Sequence, residues 1–129
     1  MSNDIRNPLT GLTILVVEDD YYQASDTGEV FERAGATVVG PFSSVAAAIG
    51  AIAQMPPDCA VIDVNLGRGP EFDLARELKT RGIPTVFVSG YQAAMIPGDL
   101  QPFVHLEKPV ERSTLIRVVR ETGMPGLRR

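Results

Sequence analysis

Short apolar runs recur along this chain, and four of them end on polar residues. The segments are ILVVEDD at 14–20, VIDVNL at 61–66, VFVSGY at 86–91 and HLEKP at 105–109. Between them, apolar residues repeat at helical spacing, so strand and helix alternate along the chain. Five such β-α units with Val/Ile-rich strands predict an α/β fold, a doubly wound five-stranded parallel sheet covered by helices on both faces.

The polar residues that end these runs are expected to meet at one place. In a parallel α/β sheet the carboxyl ends of the strands line a single crevice, where ligands bind. The residues in question are Glu18, Asp19, Asp63, Ser89 and Lys108. Acids, a hydroxyl and a lysine that converge in this way suit the magnesium-assisted transfer of a phosphoryl group onto an aspartate.

Composition narrows the class of protein. A chain of 129 residues is the usual size of one domain, and its net charge is −4. The basic residues are scattered, which excludes the clustered Lys/Arg face of a nucleic-acid binder. No apolar stretch approaches a membrane span, and the N-terminus lacks the apolar core of a secretory signal. With Cys59 as its single cysteine, the chain is expected in the cytoplasm, without a membrane or nucleic-acid partner.

The spacing of apolar residues and helix breakers predicts the element boundaries. A helix over 21–34 places Ala24, Gly28 and Phe31 on one face, and a strand over 37–39 ends at Gly40-Pro41. Ser43 or Ser44 caps the next helix. The fourth helical segment, 92–101, contains Pro97 and Gly98 and is expected to hold one or two turns at most. We expect a flexible tail over 1–11, one domain over 12–122 and a C-terminal tail over 123–129.

The four motifs, in this order and each at a strand end, resemble the receiver domain of two-component response regulators. The resemblance covers about residues 12–122. It implies a flavodoxin-like receiver fold and transfer of phosphate from a kinase phosphohistidine to an aspartate. The Ser-Gly-Tyr sequence after strand four, with a shortened or mobile fourth helix, is similar to a subgroup of receivers associated with alphaproteobacterial sensor kinases.

The resemblance assigns roles to the residues at the strand ends. It makes Asp63 the phosphoacceptor and Lys108, in a cis Lys-Pro bond, the cation that pairs with it. The Ser89 hydroxyl would donate to a phosphoryl oxygen. The implied Mg²⁺ ligands are Glu18, Asp19, Asp63 and the main-chain carbonyl of Asn65. Asp20, just after the acidic pair, either supports this site or caps the following helix.

Two positions depart from the family pattern and bear on signalling. His105 stands where most receivers carry a Tyr or Phe that swings inward on phosphorylation. It is either a switch residue together with Ser89 or a surface histidine with little effect. The interrupted segment after Ser89 is the alternative moving part.

The resemblance implies a stand-alone response regulator that is not an enzyme beyond self-catalysed phosphotransfer and dephosphorylation. Its partners would be a sensor histidine kinase or phosphotransfer protein and a downstream protein, reached by direct contact or phosphorelay. The alternatives are a phosphate-independent adaptor with the same fold and the receiver segment of a hybrid kinase. A flavodoxin-like electron carrier is disfavoured because Glu18-Asp19-Asp20 would repel a flavin phosphate.

Overall fold

The computed structural model describes residues 7–18, 20–63, 72–90, 96–100 and 102–124. Strands and helices alternate through these residues as the sequence predicts. The strands are β1 (Thr13–Val17), β2 (Thr37–Phe42), β3 (Cys59–Asp63), β4 (Thr85–Ser89) and β5 (Val104–Glu107). The helices are α1 (Tyr21–Arg33), α2 (Val45–Gln54), α3 (Asp73–Thr80) and α4 (Arg112–Gly123). None of the helices among these residues is long and apolar enough to cross a membrane.

The strands form one parallel sheet in the order β2-β1-β3-β4-β5. This confirms the predicted doubly wound, flavodoxin-like sheet. The order reverses between β1 and β3, and the crevice outside the strand ends at such a reversal is where ligands bind in open α/β sheets. Every residue of β3 is buried, as expected for a strand covered on both faces.

Alternate residues of the central strands pack into two separate hydrophobic cores, one on each face of the sheet. Leu15 and Ile62 pack on one face of the sheet, beneath α2 and α3. Ile14 and Val61 pack on the other, where Phe31 of α1 is fully buried with residues of α4. The period of two along each strand produces this division, and it fixes the register of β1 against β3.

The second strand is longer than predicted. It continues through Gly40-Pro41 to Phe42, and both intervening residues stand opposite Val16 in a bulge. Gly40 has φ +103, and a Cβ there would lie 2.8 Å from the Val16 carbonyl oxygen. Only glycine fits this position, so the turn signal expected to end the strand instead allows it to bulge and resume.

The helix boundaries follow the predicted caps. Asp20 is the N-cap of α1, where its Oδ1 accepts from the Gln23 N–H at 3.0 Å. Ser44 is the N-cap of α2 and accepts from the Ala47 N–H at 3.2 Å. Gly35, with φ +101, follows α1 and confirms the predicted C-terminal glycine.

The predicted fourth helical segment is reduced in the described residues to one 3-10 turn, Gly98–Leu100. Ile96 and Leu100 are buried in the core next to α2 and α3. Residues 91–95 and 101 lie outside the described residues. The described part of this segment is therefore short, as expected, and docked.

The predicted boundaries of the tails need correction. The turn over residues 7–11 is anchored through Leu9, which is fully buried and whose N–H donates to the Ala34 carbonyl oxygen at 2.8 Å. The Arg120 side chain donates to the carbonyl of Pro8 at 3.1 Å. At the other end, α4 includes Gly123, and Met124 packs against the core. Residues 1–6 and 125–129 lie outside the described residues.

Replacing Gly28 by Ala should stabilise the protein. Gly28 lies inside α1, where glycine costs up to about 1 kcal/mol relative to alanine. An added Cβ would lie 3.6 Å from the Pro41 Cγ, which is ordinary contact. We expect a thermal midpoint a few degrees higher, measured by calorimetry.

Gly123→Ala is the matched control for Gly28→Ala. A Cβ at Gly123 would lie 2.9 Å from the Leu12 Cδ2 and 3.2 Å from the Cys59 Sγ, inside a filled core. This variant should lower the thermal midpoint. A decrease for Gly28→Ala, or an increase for Gly123→Ala, would contradict this description of helix packing.

Candidate functional site

Four strand ends bring polar side chains to one edge of the sheet. Glu18 directly follows β1, Asp63 ends β3, Ser89 ends β4 and Lys108 directly follows β5. The register places them side by side, because Val17 pairs with Ile62, Asp63 with Val88, and Ser89 with Glu107. Glu18, Asp63 and Ser89 are buried, with exposed fractions of 8 %, 8 % and 0 %.

The Lys108 ammonium joins three elements. Its Nζ donates to the Glu18 Oε1 at 3.3 Å and to the Asp63 Oδ2 at 3.2 Å. The third and shortest of these hydrogen bonds runs to the Gln23 Oε1 in the first turn of α1, at 2.7 Å. An ammonium has three N–H donors, so each donor of Lys108 has an acceptor. The adjoining Lys108-Pro109 peptide bond is cis, as the resemblance implies.

Burial and the neighbouring charges shift the pKa of Glu18. Burial raises the pKa of Glu18 from 4.5 to about 7; the Asp63 carboxyl adds to the rise and Lys108 opposes it. A raised carboxyl pKa means that folding favours the protonated form. The Glu18 carboxyl therefore costs the protein stability as pH rises from 4.5 through about 7.

Lys108 is held in its charged form. Burial by itself would lower the pKa of Lys108, but attraction and hydrogen bonding by Asp63 and Glu18 outweigh burial and raise it. A raised lysine pKa contributes stability at every pH below the ordinary value of 10.5, so the ammonium stabilises the site at neutral pH. The site thus presents one fixed positive charge to two acidic groups.

Ser89 connects the lysine to the neighbouring strand. The Lys108 N–H donates to the Ser89 carbonyl oxygen at 2.8 Å, just beyond the end of β5. The backbone that carries the buried Ser89 side chain is therefore linked directly to the backbone that carries the ammonium. A displacement of either residue acts on the other.

The carboxylates offer oxygen ligands of the kind that Mg²⁺ prefers. Glu18 and Asp63 both contact the same Lys108 Nζ, so their carboxylates face one small volume. Within the described residues, no group of three His, Cys, Asp or Glu side chains is placed to hold a metal ion. Asp19 and Asn65, the other predicted ligands, lie outside those residues. The donor chemistry of the described pair fits a hard divalent cation.

Asp20 has the capping role that the sequence left open. Its carboxylate is exposed at the N-terminus of α1, and the hydrogen bond from the Gln23 backbone N–H is the main cause that lowers the pKa of Asp20. The Gln23 side-chain amide lowers that pKa further. The role of the Asp20 carboxylate is therefore to cap α1.

His105 lies half-buried in β5, in register with Phe87 of β4. Its Nε2 is buried and has no hydrogen-bond partner among the described residues. The imidazole is therefore partly buried, and its role in the switch stays a prediction. The position points toward the sheet face that also holds the docked residues Ile96 and Leu100.

An open cavity of about 430 Å³ adjoins the site between α1 and the segment before α4. Its wall includes Glu18, Asp63 and Lys108, together with Gln23 and mostly apolar residues of the strands. The strand-end cluster can therefore be approached along the first turns of α1.

Gln23 is the contact that sequence reasoning missed. The Asp20-x-x-Gln23 spacing matches a capping box, in which the glutamine side chain would bond back to the N-cap N–H. In the structure its Oε1 instead accepts from Lys108, which is 85 residues away in sequence. A local motif cannot reveal a partner at that distance.

The sheet order and the residues at its switch point define the flavodoxin-like architecture of receiver domains. The family model described as the response regulator receiver domain matches residues 14–120. The chain belongs to this family.

Individual relatives support the same placement. An uncharacterised response regulatory protein of Vibrio parahaemolyticus is 28 % identical over 112 residues, which cover 84 % of this chain and 46 % of the relative. The chain thus spans about half the length of that curated relative. The solution structure of SdrG from Sphingomonas melonis Fr1 is 29 % identical, with a TM-score of 0.71 and coverage of 87 % of this chain and 94 % of SdrG.

A mutant of the anti-anti-sigma factor PhyR from Bartonella quintana has the same fold, with a TM-score of 0.80. It is 18 % identical, and the match covers 94 % of this chain and 52 % of PhyR. At this identity, the similarity establishes the fold alone.

Lys108→Met should destabilise the protein at neutral pH in a chelating buffer. The substitution keeps the side-chain length but leaves the carboxylates of Glu18 and Asp63 without their shared ammonium. Since Lys108 is only 29 % exposed, the cost should exceed that of a surface pair, at roughly 1–3 kcal/mol. Urea unfolding measures it.

Arg33→Met is the control for Lys108→Met. Arg33 pairs with Glu29 on the surface of α1, and its side chain is 77 % exposed. Its loss should cost less than about 1 kcal/mol. Equal effects of the two substitutions would contradict a structural role for the Lys108 cluster.

Proposed function

We propose that this receiver domain accepts a phosphoryl group on Asp63, from a sensor histidine kinase or a phosphotransfer protein, and signals through protein contact. The observation that carries the proposal is the Lys108 ammonium, 3.2 Å from the Asp63 Oδ2 and 3.3 Å from the Glu18 Oε1, at the β1/β3 switch point. An aspartate held beside a fixed cation, in a crevice open to solvent, suits nucleophilic attack on phosphorus.

The chemistry proposed for Asp63 is a displacement at phosphorus. One carboxylate oxygen of Asp63 forms a bond to phosphorus as the P–N bond of the donor phosphohistidine breaks. The electron pair of that bond stays with the donor imidazole, and the product is an acyl phosphate. Lys108 stabilises the negative charge on the phosphoryl oxygens because it is held charged within reach of Asp63.

The proposed cofactor is Mg²⁺, held by Glu18 and Asp63 together with Asp19 and the main-chain carbonyl of Asn65. The bound ion would neutralise charge between the acidic residues and the incoming phosphoryl oxygens. Two buried carboxylates that face one small volume support a cation site, because carboxylate oxygens are the ligands that Mg²⁺ prefers. The protein's own contribution is to hold these acids at adjacent strand ends.

The proposed output begins at Ser89 and Lys108. A phosphoryl group adds about −1.5 to −2 charge and strong acceptor oxygens at Asp63. The Ser89 hydroxyl and the Lys108 ammonium would both turn toward those oxygens. Since the backbones of Ser89 and Lys108 share a hydrogen bond, the ends of β4 and β5 would move together.

His105 and the segment 96–100 lie next to the strand ends that would move. His105, in β5, is half-buried on the sheet face that the segment 96–100 covers. That segment is fastened to α3 through Asp99, whose carboxylate accepts from the Arg76 Nε at 3.1 Å. The Lys79 Nζ donates to the Asp99 carbonyl oxygen at 2.6 Å. We propose that this segment, more than His105, changes its docking when Asp63 is phosphorylated.

Labelling with a small-molecule phosphodonor tests the phosphoacceptor. Wild type should gain one phosphoryl group when phosphoramidate and Mg²⁺ are both present and none when EDTA replaces Mg²⁺, as read from intact mass. Asp63→Asn should gain none. Asp26→Asn, which changes an exposed aspartate of α1, should be labelled like wild type. Undiminished labelling of Asp63→Asn would overturn the assignment.

Asp99→Ala tests the fastening of the segment 96–100. Loss of the half-exposed pair with Arg76 should speed amide hydrogen exchange across 96–100 about two- to fivefold, by weakening local docking. Glu77→Gln is the control, since Glu77 pairs with Arg81 at the C-terminal end of α3. Unchanged exchange in Asp99→Ala would exclude the ion pair as a fastener.

A further inference from the structure

Gln23 accepts the shortest hydrogen bond that the Lys108 ammonium makes. The Gln23 Oε1 lies 2.7 Å from the Lys108 Nζ, whereas the two carboxylate oxygens lie at 3.2 and 3.3 Å. The lysine side chain has four flexible carbons, and in the described part of the chain these three acceptors hold its ammonium in place. Gln23 is the acceptor on a helix; the other two stand at strand ends.

The three acceptors of Lys108 would have different roles during phosphoryl transfer. Asp63 would become the phosphorylated residue, and Glu18 would turn toward a bound cation. Both would then loosen their hold on Lys108. The Gln23 amide is neutral, and its oxygen would bind neither the cation nor the phosphoryl group. It can hold the ammonium through the reaction.

The position of Gln23 is itself well defined. Its backbone N–H donates to the Asp20 carboxylate, which caps α1 at the point where the chain leaves the acidic cluster. This hydrogen bond fixes the backbone of Gln23 in the first turn of α1. From that turn the Gln23 side chain reaches across to the segment after β5.

From this geometry we infer that Gln23 is a positioning residue for Lys108, which holds the ammonium beside Asp63 from the α1 side. The inference rests on the proposed function, since it concerns the readiness of Lys108 to meet the phosphoryl oxygens. Gln23 does not contact the reacting atoms. Its effect is to keep the ammonium from swinging into solvent, to which Lys108 is 29 % exposed.

The decisive variant is Gln23→Met. Methionine keeps the length of the side chain and favours a helix, but it offers no comparable acceptor. With saturating Mg²⁺ and phosphoramidate, we expect the rate of labelling to fall about two- to tenfold, the range of one partly exposed hydrogen bond to a charged group. The thermal midpoint should change little. Gln54→Met, at the exposed end of α2, is the matched control and should leave the rate unchanged.

A second measurement does not depend on labelling. The chain has only two lysines, Lys79 and Lys108, so the lysine side chains give at most two ammonium signals in nitrogen-15 NMR, assigned with Lys79→Arg. Without any phosphodonor, the Lys108 ammonium signal should broaden through faster proton exchange in Gln23→Met. It should be retained in Gln23→Glu, which keeps an acceptor oxygen. A purely structural role for Gln23 would not distinguish these two variants.

The two measurements separate the possible failures. If wild type is not labelled at all, the proposed function fails, and the ammonium signal alone decides whether Gln23 positions Lys108. If wild type is labelled, a slower rate in Gln23→Met together with a broadened Lys108 signal supports the inference. An unchanged Lys108 signal in Gln23→Met overturns it, whatever the labelling rate.

Discussion

The carboxylates of Glu18 and Asp63 lie at the ends of adjacent strands, each with an exposed fraction of only 8 %. Burial of that kind is unfavourable for acidic groups unless a cation stands beside them. In the described part of the chain, Lys108 supplies it, and it is carried by the segment after β5, two strands away from Asp63. The arrangement of the whole sheet edge follows from bringing that ammonium across β4 to the β1/β3 junction.

This arrangement brings elements that are distant in sequence together at one site. Lys108 contacts the ends of β1 and β3 through its side chain and the end of β4 through its backbone. Through Gln23 it also contacts α1. A change in charge at Asp63 therefore reaches two strands and a helix through a single residue. Coupling of this kind needs no long pathway through the core.

Much of the fold could be read from local patterns. The apolar runs, the period of two within strands and the caps at Asp20 and Ser44 depend on neighbouring residues, so the sequence displays them directly. The convergence of Glu18, Asp63, Ser89 and Lys108 was also predictable, because parallel strands end at one edge.

The features that escaped prediction involve partners distant in sequence. Leu9 is buried because the turn that carries it pairs with the end of α1, and no local signal separates it from a tail. Gly40-Pro41 reads as the end of a strand until Val16 opposite is known. Gln23 matches a capping pattern, yet its side chain serves Lys108. In each case a tertiary contact decided between two uses of the same residues.

The bulge in β2 affects how readily this outer strand could pair with a strand of another molecule. β2 is an outer strand of the sheet, and outer strands can recruit a strand from another molecule through their unpaired N–H and C=O groups. Pro41 has no N–H to offer, and the bulge at Gly40-Pro41 interrupts the straight row of donors and acceptors that an incoming strand would need. Gly40 and Pro41, which let β2 follow β1 to the acidic edge of the sheet, therefore also disfavour intermolecular pairing along the outer edge of β2.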